Sequence, residues 1–166
     1  MTDAMAGPVY AALIGAGATA VMDVWATILH HVGGVAAPDY GLVGRWIAHM
    51  ANGRFVHPSI AAAAPVRGER LLGWIAHYVI GIAYAAVLLA SWGIEWVRNP
   101  TIVPALIVGI STVVAPFLLM QPAMGAGIAA SRTPRPAAAR VRSLMMHAVF
   151  GLGLYLAGLM LRFLSS

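Results

Sequence analysis

Residues 71–92, LLGWIAHYVIGIAYAAVLLASW, run without one charged side chain. At ~1.5 Å of rise per residue, a helix of this stretch matches the ~30 Å hydrocarbon core of a bilayer, and that reading decides the fold. Three more stretches are of similar length and predominantly apolar, at residues 7–31, 101–121 and 140–163. The chain is therefore expected to be all-α, a polytopic membrane protein with four transmembrane helices. It is expected to form one integral membrane domain over residues 1–166, with no separate soluble module.

Composition agrees. Apolar residues fill 61% of positions and charged residues 9%, against ~25% charged in soluble domains. Cysteine is absent, which excludes disulfides, thiol redox chemistry and cysteine-ligated metal or iron–sulfur centres. The net charge of +5 comes from arginines that cluster in the segments flanking the spans, so topology accounts for it and no nucleic-acid partner is expected. Met1-Thr-Asp3 offers no basic leader region, and Asp23 lies inside the first apolar stretch, so that stretch is expected to be a retained span.

Arg45, Arg54, Arg67 and Arg70 lie in segment 32–70, and Arg132, Arg135, Arg140 and Arg142 in segment 122–142. Only Arg98 and Arg162 fall on the opposite side. The bias of basic residues toward the cytoplasm puts both long connections there and both termini in the periplasm of a bacterial inner membrane. In the first connection Leu42, Val43, Trp46, Ile47 and Met50 recur at helical spacing, opposite Arg45, His49 and Asn52, as a short interfacial helix would have it. Its glycines, Gly41, Gly44 and Gly53, weigh against a helix. The second connection reads AMGAGIAAS over 123–131 before Arg132-Thr-Pro-Arg-Pro136, a short re-entrant or surface helix stopped by proline. Tyr10, Trp92 and Trp96 are expected at the outer interface.

Two histidines break the apolar pattern. Gly73-x-x-x-His77-x-x-x-Gly81 and Ser143-x-x-x-His147-x-x-x-Gly151 each stack a histidine between small residues on one helix face. The shared motif is compatible with tandem duplication of a helical hairpin, in which Thr19 corresponds to Thr112 and Asp23 to Pro116. Counted along the helices, Asp23 lies about 12 Å from the cytoplasmic end, and His77 and His147 roughly 10 Å. Pro116 frees the carbonyl of Thr112 four residues earlier. Asp23, His77, His147 and Thr112 are therefore the expected ligand or proton site, with Asp23, His77 and His147 the candidate metal ligands. An aspartate at helix centre costs about 2.5 to 3.5 kcal/mol on insertion scales, so it is expected to face the bundle interior.

Three functional readings follow. The first is cation or proton binding for transport or sensing. The second is electron transfer by a b-type haem held between His77 and His147, with glycines admitting the porphyrin and Arg70, Arg140 and Arg142 meeting its propionates. The third is an accessory or scaffold protein whose polar cluster only fixes helix register. Arg45, Arg132 and Arg140 are candidate contacts for lipid head groups or an anionic solute, the alternative being bulk attraction to lipid. His30, His31, His49 and His57 fall at or beyond the inner membrane edge, where an interfacial or solvated histidine is ordinary; the alternative is a loading site, for which their spacing gives no metal signature. No Ser-His-Asp order, catalytic carboxylate pair or phosphate-cradling loop can be assembled, so no catalytic residue is assigned and an enzyme is not expected. Four helices enclose little volume, so a homo-oligomer within the lipid bilayer is expected.

The strings Gly17-Ala-Thr-Ala-Val-Met-Asp23, Gly44-Arg-Trp46, Gly73-Trp-Ile-Ala-His-Tyr78, Met120-Gln-Pro-Ala-Met-Gly-Ala-Gly-Ile-Ala-Ala-Ser-Arg-Thr-Pro134 and Phe150-Gly-Leu-Gly-Leu-Tyr155 resemble a bacterial membrane family, domain of unknown function 2938. The resemblance covers nearly the whole chain, and the string from Met120 to Pro134 is its most specific part. It implies a small multi-span inner-membrane protein and transfers no catalytic residue.

Overall fold

The structure, a computed structural model, describes residues 3–165, all helix and connection with no strand among them. In chain order the helices are α1 (Asp3–Gly33), α2 (Tyr40–Met50), α3 (Glu69–Trp92), α4 (Glu95–Arg98), α5 (Ile102–Ser111), α6 (Gln121–Ala123) and α7 (Pro136–Ser165). A π-helical turn, Pro116–Met120, lies between α5 and α6, and a 3₁₀ turn, Ile128–Ala130, between α6 and α7. Four helical segments are long and apolar enough to cross a membrane: Ala6–Gly33, Glu69–Trp92, Ile102–Ala123 and Pro136–Leu164. They match the expected spans to within a few residues.

These segments bury little of themselves, between 22% and 33% of each apolar window. Leu71, Val79, Val103, Leu118, Leu119 and Met160 are all more than half exposed. In water such a surface would drive aggregation, whereas hydrocarbon solvates it at no cost.

The chain divides into two compact units, residues 1–37, 78–112 and 145–166 in one, and 38–77 and 113–144 in the other. The first has the apolar core, with Ile14, Ala18, Ala85, Leu88, Ala105, Phe150 and Leu154 at its centre. Trp96 joins this core at 5% exposure. Its indole N–H donates to the Thr101 carbonyl at 3.2 Å, which satisfies the ring's one polar group and lets it be buried.

In the second unit Asp39 caps α2 by accepting from the Gly41 N–H at 2.9 Å, and the helix ends where Gly53 turns left-handed at φ +75°. The glycines that weighed against this helix are what seat it. A Cβ on Gly44 would strike the backbone of Glu69 and Gly73, and one on Gly73 would strike that of Tyr40. The short helix expected over 123–131 is reduced to the single turn Ile128–Ala130. Gly125 and Gly127, at φ +95° and +76°, leave the helical basin, and Gly125 lies against the Pro58 carbonyl where no side chain fits.

Candidate functional site

Asp23 is half-buried on α1, and its Oδ2 accepts a hydrogen bond from the Tyr78 hydroxyl at 3.2 Å. The threonines on the same helix stripe turn inward on their own backbone: Thr19 donates to the Gly15 carbonyl and Thr27 to the Asp23 carbonyl, each at 2.8 Å. Tyr78, the sequence neighbour of His77, thus adds to the site a residue that sequence reasoning did not include.

Thr112 and His147 do meet, with 2.9 Å between the Thr112 Oγ1 and the His147 Nδ1. The Thr112 hydroxyl also donates to the Gly109 carbonyl at 2.6 Å, so its single hydrogen is taken and the His147 Nδ1–H is the donor in their bond. The backbone break that exposes Thr112 is the one Pro116 predicts, since α5 ends at Ser111 and the chain resumes as a π-helical turn.

His77 belongs to the other unit. Its ring stacks on Tyr40 at 4.1 Å between centroids and meets Trp74 edge-on at 5.9 Å. The four expected site residues thus divide, with Asp23, Thr112 and His147 in the first unit and His77 in the second. Among the described residues no group of three or more His, Cys, Asp or Glu is arranged to hold a metal ion. The glycines beside the histidines are occupied by protein: Gly81 lies against Thr19 and the Gly15 carbonyl, and Gly151 against Ala105 and Leu106. They supply close helix approach.

The three arginines assigned to anion or lipid contact differ from one another. Arg45 is engaged within its unit, where Nε and Nη2 donate to the two Glu69 oxygens at 2.8 and 2.7 Å. Its Nη1 reaches the carbonyls of Ile60, Ala61 and Ala63 at 3.1 to 3.3 Å. Arg132 and Arg140 are exposed, and Arg140 Nε donates to the Ala129 carbonyl at 2.8 Å.

Sequence reasoning read His49 and His57 as ordinary solvated histidines, with a loading site as the alternative. Rather than solvated, they are buried at 7% and 2% exposure, with His49 Nδ1 and His57 Nε2 2.8 Å apart. Burial first, then the nearby His49 and Arg54, push His57 below the ordinary histidine range. The available signal was the Asn52-Gly53 stop between them, which folds the chain back on α2.

The family described as protein of unknown function (DUF2938) matches residues 12–161. No curated protein and no solved structure matches the chain. The chain belongs to the DUF2938 family.

Proposed function

For this member of the family we propose an integral membrane protein that binds a proton or small cation at Asp23 and uses it in transport or sensing. The observation that supports the reading is the 3.2 Å hydrogen bond from Tyr78 to Asp23, between two helices each long and apolar enough to cross a bilayer. A carboxylate at such a depth costs about 2.5 to 3.5 kcal/mol on insertion scales, and a hydrogen bond to a charged group returns roughly 1.5 to 3 kcal/mol. A proton or small cation on the carboxylate neutralises it, which makes Asp23 a loading point, with Tyr78 holding the side chain in one orientation.

The Thr112–His147 contact supports a separate, structural role. Its donors run in one direction to the Gly109 carbonyl, the pattern of polar glue between membrane helices. The proposal carries the arginine-rich connections on the cytoplasmic side and both termini in the periplasm of a bacterial inner membrane. It also carries a homo-oligomer, since four helices enclose little volume by themselves.

The test is flux of protons and monovalent cations into liposomes containing the purified protein. Wild-type flux that Asp23→Asn abolishes and Tyr78→Phe diminishes is the expected result. Wild-type traces at the level of empty liposomes, or flux unchanged by Asp23→Asn, remove transport.

A further inference from the structure

The histidine pair in the second unit lies outside the four spans, and its hydrogen bonds fix where every ring proton sits. The Ala64 carbonyl can only accept, so His49 Nε2, 3.0 Å away, carries hydrogen and donates. A neutral His49 then has a bare Nδ1, and His57 Nε2–H donates to it across 2.8 Å. That leaves His57 Nδ1 as a bare lone pair, and this atom is buried with no hydrogen-bond partner among the described residues. A two-ring wire thus runs from the Ala64 carbonyl to an open base inside the protein.

We propose that the His49–His57 pair is a proton-binding site that controls the anchoring of connection 54–66 to the turn at 123–125. The anchor consists of two backbone bonds, His57 N–H to the Ala123 carbonyl at 2.8 Å and Ile60 N–H to the Met124 carbonyl at 3.0 Å. A proton from solvent adds to the Nδ1 lone pair and makes an imidazolium with no neutralising partner. From its own segment it faces Arg54, and from α2 it faces His49. Residues 113–131, which carry the turn, have no titratable side chain. Glu69, the carboxylate that acts on His49, is already held by Arg45 at 2.7 Å. A buried unpaired charge is relieved by exposure, so the loaded site opens the anchor. The lowering of His57 by burial agrees with this direction. The site shares no residue with the Asp23–Tyr78 pair and does not rest on that reading.

The test is ring-nitrogen NMR with amide hydrogen exchange on the full chain in lipid nanodiscs, titrated from about pH 8 to about pH 5. Both rings are expected as Nε2–H tautomers at neutral pH. On acidification His57 Nδ1 gains its proton, and protection of the His57 and Ile60 amides, corrected for intrinsic exchange, falls at least about tenfold while α1 is unchanged. His57→Gln retains a donor toward His49 without a titratable ring, and its protection is expected to stay flat. If that variant does not fold, the wild-type measurements decide alone. An Nδ1–H tautomer for either ring at neutral pH, flat protection while His57 protonates, or no protonation before global unfolding would each overturn the proposal.

Discussion

Gly44 of α2 and Gly73 of α3 pack backbone against backbone, and a Cβ on Gly44 would lie 2.6 Å from the Gly73 nitrogen. Gly44→Ala and Gly73→Ala are each expected to destabilise the protein by about 3 kcal/mol, the upper end for overpacking, because the obstruction is main chain and cannot rotate away. Gly7 has open space around its Cβ position, so Gly7→Ala is the neutral control. Thermal unfolding in detergent reads all three.

The pattern of what was legible follows from the range of each interaction. The four spans could be read because hydropathy is a local sum over each stretch, and the Pro116 break because a proline removes its own hydrogen bond. Pairing across helices could not be read. Asp23 and Tyr78 lie fifty-five positions apart, and their meeting depends on a rotation set by Gly15 against Gly81 and Ile82. The burial of Trp96 likewise depends on Gly158, which lies sixty-two positions later in the chain and leaves room for the ring. His49 and His57 were hidden in a connection whose order comes from a docked turn rather than from periodicity.

Arg45 is irreplaceable by lysine if its geometry matters. A planar guanidinium serves both Glu69 oxygens and the 60–63 carbonyls together, whereas an ammonium is a point charge with three donors. Arg45→Lys is expected to lower the unfolding temperature and Arg45→Ala to lower it further, with protease sensitivity appearing first within residues 54–66. An unchanged cleavage pattern for Arg45→Ala would show that these bonds do not hold the connection.

Stability should also depend on pH with a defined sign. His57 is held below the ordinary histidine value of 6.5 in the folded chain, so the unfolded chain takes up a proton first as pH falls. Stability is full above about pH 6.5 and declines below it, until the folded-state value is reached. Unfolding temperatures in detergent at a series of pH values check this, and His57→Gln should flatten the acid side of the curve.

Thr112→Val removes the acceptor for His147 Nδ1–H while keeping the shape of the side chain. The expected cost is about 0.6 kcal/mol, the average for interhelical bonds within membranes, with no change in ion flux. A collapse of flux in this variant would instead assign Thr112 to the pathway.

Asp23 as a loading point is most directly tested by infrared difference spectroscopy of the protein in lipid, following the carboxyl band with pH. The account predicts a carboxyl band responding to proton uptake that disappears in Asp23→Asn and shifts in frequency in Tyr78→Phe, because the phenol donates to that carboxylate. A spectrum in which no band assignable to Asp23 titrates, or in which Tyr78→Phe leaves the band unmoved, would contradict it.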